Sequence, residues 1–423
     1  MNTDTIKACK YKVAKCTLTT EGTSYEINPV AITSILLDHD YDKYCLPYFE
    51  ITASIANSVY RQIKRENVEV RCYIDIEKTY DSLGMNGEES TPINQLTWEP
   101  AIEGNFYCYS DDGTPATNET EIKTYEDSEN DDSDTGNQPD LMNSSTVKIA
   151  LYNEKYLFGI RKTMNKVFLD ATSIEACAWI CESAGLDNVL CSPATNMDKI
   201  PQLIVPPYDA IKALTWVSNN YTMHDCGSLV YFGLNRGYIL NRCGTATAWE
   251  SGEIYRTVIE SVQGNSDSYG SVSGCCIFNN ENHVNMETNA ISFSVPSVVD
   301  TQLAGSSMRI VDAGSGSITD VETNATTTDS GKNTKVYTNQ VGNVAANAIA
   351  TRVKEASKQA NIAFNCVDFD MFTPNKEIVL SFTDSNLSKY SGSYRPSAVK
   401  VALQKDGSFL VPSINVTLLG GYQ

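Results

Sequence analysis

Val68-Glu-Val-Arg-Cys-Tyr-Ile-Asp-Ile76 puts Val68, Val70, Cys72, Ile74 and Ile76 in one phase and Glu69, Arg71, Tyr73 and Asp75 in the other. Period-two alternation of this kind predicts a strand with one face on an apolar core and the other toward polar surroundings. Tyr48 to Ala56 repeats the pattern with Phe49, Ile51, Ala53 and Ile55, and Lys10 to Thr19, Ala31 to Leu37 and Phe106 to Tyr109 read as further strands. At the far end Glu377 to Phe382, Ala398 to Leu403 and Ile414 to Leu418 do the same, and Asp406-Gly407 makes a tight turn into Ser408 to Val411. Many antiparallel strands with polar connections predict a mainly β chain with α insertions (α+β), organised as barrels or sandwiches.

The pattern changes near residue 160. Thr172 is placed to cap a helix running to Ala184, with Glu175 completing a capping box and Gly185 as its stop. Cys177 and Cys181 fall on its stripe with Ile174 and Ala178. After an extended piece from Gln202 to Val205, Pro206-Pro207 is expected to open a second helix with the stripe Ala210, Leu214, Val217 and Tyr221. Trp179 and Trp216 read as packing residues. Ser228 to Phe232 and Tyr238 to Leu240 form a hairpin about Gly233 to Gly237. From Gly264 to Gly342 the chain is rich in Ser, Thr, Asn and Gly, and a third helix is expected over 343–361, with Ala345, Ile349, Val353, Ala356 and Ala360 as its stripe.

The chain has 423 residues, with 52 acidic and 32 basic side chains and a net charge of −20. That balance argues against a surface that grips nucleic-acid phosphates. Asp111 to Asp140 holds eleven acidic residues against Lys123 alone, a net of −10, and reads as a long solvated loop. No apolar run approaches the about 18 to 20 residues of a membrane helix, so no membrane insertion is expected. The opening residues MNTDTIKACKYK lack the apolar core of a signal peptide.

Thirteen cysteines, an odd number scattered from Cys9 to Cys366, take positions suited to small hydrophobes and predict reduced thiols in a protein made in a cytoplasm. There is no C-x2-C pair, no Walker A loop and no G-x-G-x-x-G. Of three histidines, His39 reads as exposed and His283 lies in a polar loop; His224 is next to Asp225 but near no nucleophile elbow. No catalytic, cofactor-binding or metal-binding residue is assigned, no cofactor is expected, and the chain does not read as an enzyme.

The run Phe168 to Gly185, the Ile200-Pro201 step, Val205-Pro-Pro-Tyr-Asp-Ala-Ile-Lys-Ala-Leu-Thr-Trp-Val217 and Gly227 to Leu240 resemble the central baseplate hub proteins of contractile-tailed bacteriophages and related contractile injection systems. Asn375 to Phe382, Tyr390-Ser-Gly-Ser-Tyr394, Ala398-Val-Lys-Val401 and Asp406-Gly-Ser-Phe409 resemble that family's closing β segment. The resemblance implies two tail-tube-like antiparallel β-barrel domains plus a small α/β insert. The first barrel would span 1–160, with the acidic loop 111–140. The insert would be 161–226, the second barrel 227–262 with 364–423, and 263–363 a polar region carrying the helix 343–361. It further implies a homotrimer, a pseudo-six-fold ring in the virion baseplate, assembled in the host cytoplasm. The ring would join the tail tube protein to the central spike protein, contact the tape measure protein and inner baseplate proteins, and let DNA pass its lumen unbound. Edge strands would mediate the contacts, at Val68 to Ile76, Ala398 to Leu403 and Ile414 to Leu418. Another virion structural protein, or an adhesin-like, carbohydrate-binding β protein, is the alternative.

Overall fold

The computed structural model describes residues 7–42, 47–63, 68–82, 96–108, 117–119, 144–221, 223–224, 227–242, 254–263, 270–279, 286–288, 291–294, 307–311, 318–322, 335–338, 359–382, 388 and 391–422. The chain is mainly β, with four α-helices among these residues. The first strands are β1 (Lys7–Thr20), β2 (Thr23–Glu26), β3 (Ile32–Asp40), β4 (Tyr48–Ala56), β5 (Val70–Ser82), β6 (Glu99–Cys108), β7 (Thr117–Glu119) and β8 (Ser144–Asn153), with α1 (Asn57–Ile63) after β4. Next come α2 (Glu154–Ile160), β9 (Thr163–Ala171), α3 (Ser173–Ala184), β10 (Val189–Cys191), β11 (Ile200–Asp209), α4 (Ala210–Asn220), β12 (Ser228–Phe232) and β13 (Gly237–Asn241). The remainder is β14 (Ile254–Gln263), β15 (Gly270–Asn279), β16 (Met286–Thr288), β17 (Ile291–Ser294), β18 (Ser307–Val311), β19 (Ile318–Glu322), β20 (Lys335–Thr338), β21 (Gln359–Asn365), β22 (Glu377–Phe382), β23 (Gly392–Asp406) and β24 (Phe409–Tyr422).

The pairings of the main sheet close on themselves twice. One cycle runs β23-β3-β4-β8-β6-β5-β1-β24 and returns to β23, antiparallel throughout. The other runs β23-β24-β21-β17-β15-β14-β22 and returns to β23; its β14–β22 step is parallel. The β23–β24 hairpin belongs to both. Its two-residue turn, Gly407-Ser408, needs a positive φ, and Gly407 supplies it at 58°.

The alternation read from the sequence sets what faces the core. Val70, Cys72, Ile74 and Ile76 are buried while Arg71 is exposed, and Phe49, Ile51, Ala53 and Ile55 are buried on β4. They pack with Ile35, Leu37, Val399, Val401 and Leu403 in one cluster, where Phe49 meets Phe106 edge to face at 5.2 Å. β8 is a strand that the sequence reading passes over, although Val147, Ile149 and Leu151 alternate in it and are buried.

The elements that follow β8 form a second, smaller core. α3 begins at a complete capping box of Thr172 and Glu175 and ends at Gly185 with φ 72°, as expected. Its buried side is Ser173, Ala176, Cys177, Ile180 and Ala184, so the stripe sits slightly off the predicted one and Ala178 faces out. The second helix starts later than expected. Pro206 and Pro207 lie within β11, at a break in its register with β9, the strand continues to Asp209, and Asp209 caps α4 by accepting from the Lys212 N–H at 2.9 Å. An aspartate cap satisfies a donor that the prolines could not, and the predicted stripe Ala210, Leu214, Val217 and Tyr221 is buried. The hairpin β12–β13, expected to open the second barrel, pairs with β10 in a separate three-stranded sheet and is buried along its length.

The expected helix 343–361 lies outside the described residues up to 358. Its last three residues begin β21, where Ala360, Ile362 and Phe364 alternate inward at period two. The acidic block 111–140 is outside the described residues except for β7, which pairs with β8. Eight of the described cysteines are free thiols, five of them buried, and Cys16 and Cys72 bring their Sγ atoms to 3.9 Å within the first cycle. Phe49→Ala is expected to cost about 3–5 kcal/mol in urea denaturation, whereas Leu169→Ala, at an exposed site, should stay within about 0.5 kcal/mol of the parent.

Candidate functional site

Charged side chains are concentrated where the two cycles and the insert meet. Lys78 on β5 is placed by the same alternation that buries Ile74 and Ile76. Its Nζ donates to Asp368 Oδ2 at 2.7 Å and to Asp370 Oδ2 at 2.6 Å. Asp368 caps, and Asp370 lies within, a short 3-10 turn, Phe369–Phe372, between β21 and β22 of the other cycle. The Tyr11 hydroxyl on β1 donates to Asp368 Oδ1 at 2.9 Å and the Tyr80 hydroxyl to Oδ2 at 2.5 Å. The Asp370 N–H reaches Oδ1 at 3.0 Å, so Asp368 is an acceptor surrounded by four donors. The Tyr11 ring stacks on Phe369 at 5.4 Å.

Electrostatics divides the two carboxylates. Burial pushes Asp368 up, but the Lys78 charge and the hydrogen bonds from Lys78, Tyr80 and the Asp370 N–H outweigh it and hold it below its ordinary value. Asp370 is pushed up to about 6 by the surrounding protein and the Asp368 carboxylate, against the pull of Lys78. Its side chain keeps 43% of its surface open.

A second cluster ties in the insert. Asp42, just past β3, accepts from Arg242 Nη1 at 3.0 Å, from Arg395 Nη2 at 3.1 Å and from the Ser397 hydroxyl. Arg242 follows β13 and Arg395 lies in β23; both are buried. Burial raises the Asp42 carboxyl, but Arg395, Arg242 and Ser397 bring it below its ordinary value. Nearby, His39 Nδ1 meets the Tyr231 hydroxyl at 2.8 Å, and Tyr231 meets Tyr41 edge to face at 4.9 Å. A cavity of about 90 Å³ opens here, walled by His39 and Val401 from the first cycle, Tyr231 and Arg236 from the hairpin, and Asp370 and Thr373 from the turn.

The histidines depart from expectation. His39 is buried, because its position on β3 points it inward with Ile35 and Leu37, and burial pulls its imidazole down to about 4. His224 is buried between Ser228 Oγ at 2.7 Å and Ser192 Oγ at 3.0 Å, while Asp225 and His283 lie outside the described residues. Ser192 Oγ accepts from the Asn241 N–H at 2.7 Å, which fixes this trio as a brace for the three-stranded sheet. Among the described residues no three His, Cys, Asp or Glu side chains stand close enough to hold a metal ion.

The contact strands expected from the sequence also differ. β5 is paired along both edges, by β1 and β6. β23 is flanked by β24 on one edge and by β3 and β22 on the other, and β24 by β23 and β21. Val68 to Ile76, Ala398 to Leu403 and Ile414 to Leu418 have therefore spent their hydrogen-bonding edges within the chain. Lys78, Asp368, Asp370, Asp42, Arg242 and Arg395 carry no local sequence signal, since partners such as Lys78 and Asp368 are 290 residues apart.

The family described as Bacteriophage PBS1 gene 109 protein matches residues 1–420. No curated protein matches in sequence. Among solved structures, the tail protein from Neisseria meningitidis MC58 aligns with a TM-score of 0.48 at 10% identity, covering 97% of this chain and 96% of that one. The 43 kDa tail protein of prophage MuSo2 from Shewanella oneidensis aligns at 0.45 and 12% identity, covering 95% and 96%. Prophage tail protein gp18 from Listeria monocytogenes EGD-e aligns at 0.43 and 10%, covering 97% and 95%.

Lys78→Met should destabilise the chain by about 3–5 kcal/mol in denaturant titration, because it leaves Asp368 buried without its counter-charge. His39 and Asp370 should respond to pH with opposite signs. His39, depressed when folded, contributes stability above its ordinary value of 6.5 that drains as the pH falls toward 4. Asp370, raised when folded, contributes stability below its ordinary 3.8 that is lost as the pH rises through about 6. His39→Gln should flatten the loss of stability between pH 6.5 and 4, and Asp370→Asn should steepen it.

Proposed function

From the membership of this chain in the bacteriophage PBS1 gene 109 protein family, we propose that it is a structural hub of a phage tail baseplate. The observation that carries this reading is the double closure of the sheet: one chain holds two cycles of paired strands joined through a shared hairpin. On this reading each cycle is a tail-tube-like barrel, and the α/β layer of β9 to β13 decorates the ring. A homotrimer then presents six barrels to a six-fold tube on one face and carries a three-fold spike on the other. DNA passes the lumen without specific binding, which suits a net charge of −20. The role is one of scaffolding, not of catalysis.

The buried ion clusters support it. They lock the turn at Phe369–Phe372 and the hairpin β12–β13 to the first cycle, the kind of rigid register that a symmetry adaptor needs. The carbohydrate-binding alternative draws less support, because Tyr11, Tyr41, Tyr60, Tyr156, Tyr221, Tyr231, Tyr238 and Tyr394 are buried and offer no sugar-stacking face. The purified chain, alone or with its spike, should have the mass of a trimer by light scattering coupled to size exclusion. A monomer that persists with the spike present would overturn the hub reading.

A further inference from the structure

The cavity of about 90 Å³ lies where the first cycle, the β12–β13 hairpin and the turn at Phe369–Phe372 meet. Its walls include Ile102, Val399 and Val401 and the rings of Tyr231, Tyr238 and Phe369. Such walls alone would suit an apolar ligand. Three polar groups on the same walls change the chemistry. Tyr41, just past β3, is 4% exposed, yet its hydroxyl makes no hydrogen bond among the described residues. A phenol so deeply buried ordinarily has a partner. His39 engages the Tyr231 hydroxyl through Nδ1, and Nε2 has no protein partner among the described residues. The tautomer that donates from Nδ1 leaves Nε2 as an acceptor. Asp370 gives Oδ2 to Lys78, while its Oδ1 accepts no hydrogen bond among the described residues.

Charge fixes the sign of a matching ligand. Lys78 is one cation shared by two carboxylates, and Tyr11 and Tyr80 bring hydroxyls, not charge, to Asp368. Burial and the Asp368 carboxylate act on Asp370 against Lys78 and, more weakly, Lys376, and they prevail. Arg236 lines the cavity from an exposed position, where water screens it, and pairs with no carboxylate among the described residues. A cation in the cavity gains from Asp370 at short range and from the faces of the aromatic rings. Size narrows the choice. A cavity of about 150 Å³ takes up benzene, so this one suits a head group of a few heavy atoms.

We propose that the cavity binds a primary ammonium group, whose three N–H donors are taken by Asp370, the Tyr41 hydroxyl and His39 Nε2 and whose charge is enclosed by the rings of Tyr231, Tyr238 and Phe369. An ammonium matches three acceptors with three donors, which neither water nor a quaternary amine does. Bound there, it joins β3, the hairpin and the turn through one charge.

Methylammonium chloride is the probe, with sodium chloride at equal concentration as the blank. Titrated into the purified chain at pH 7.5 and followed by saturation-transfer NMR of its methyl protons, it should bind with a Kd of about 10 mM, the scale that two heavy atoms can supply. Binding should weaken about tenfold at pH 5, because Asp370, with its value at about 6, then carries a proton while His39, at about 4, stays neutral. Asp370→Asn should weaken binding as much at pH 7.5 and remove the pH dependence. Tyr41→Phe should weaken it severalfold and keep the pH dependence. Tetramethylammonium, a cation without N–H donors, should bind at least about tenfold more weakly than methylammonium. An equal response from the parent and Asp370→Asn, or equal binding of the two cations, would overturn the proposal. The ammonium has two sources, a free amine or a lysine of a partner chain, and a carbodiimide applied to tail particles separates them. An amide between Asp370 and a lysine of another chain assigns the partner; coupling confined to Lys78 assigns the free amine.

Discussion

A strand has two hydrogen-bonding edges, and the hairpin β23–β24 divides its outer ones between two closed sheets. Residues 398–404 of β23 serve β3, while 392–394 continue toward β22. On β24, Leu410 meets β1, and 413–419 serve β21. Only long strands can be shared in this way. At about 3.3 Å per residue, the 15 residues of β23 extend about 50 Å, well over twice the span of an ordinary strand. Every backbone group so paired avoids the cost of an unsatisfied donor or acceptor in a buried sheet. Neither cycle can open without disturbing the other.

Buried charge makes that arrangement specific. Desolvating Lys78, Asp368, Asp42, Arg242 and Arg395 is costly, and the cost is met only while each ion keeps its partners at hydrogen-bond distance. An apolar filling would tolerate a slipped turn; a lysine held between two carboxylates does not. The clusters sit at the joints between the cycles and the insert, where strand pairing alone leaves the relative placement least determined, β1 and β24 sharing a single register pair.

Much of the architecture is legible in period-two alternation, because a half-buried strand writes its faces into the sequence. Tyr48–Ala56 and Glu377–Phe382 coincide with observed strands. The capping box at Thr172 marks its helix for a similar local reason. Signals fail where they are shared between structures. Small residues at Ala356 and Ala360 fit a helical stripe, but Ala360, Ile362 and Phe364 fit a strand equally well, and the strand prevails beside β24. Pro206-Pro207 suits a helix start as well as an irregularity within a strand, and the cap at Asp209 decides between them. The ion clusters are not legible at all: a lysine in β5 reveals nothing of carboxylates brought to it by tertiary pairing. His39 is hidden by composition, since a polar Asp-His-Asp run gives no hint that its middle residue turns inward.

The cysteines carry a consequence of another kind. Burial raises the thiols of Cys9 and Cys177 well above their ordinary value and pushes Cys181 up to about 12, and the hydrogen bond with Cys16 together with burial raises Cys72, so at neutral pH they remain protonated. The thiolate is the form that attacks disulfides and reacts with oxidants. The core therefore keeps the small, soft side chains that suit close packing while exposing little of their redox chemistry. For these four thiols, reaction waits on the opening of the strand or helix that buries them.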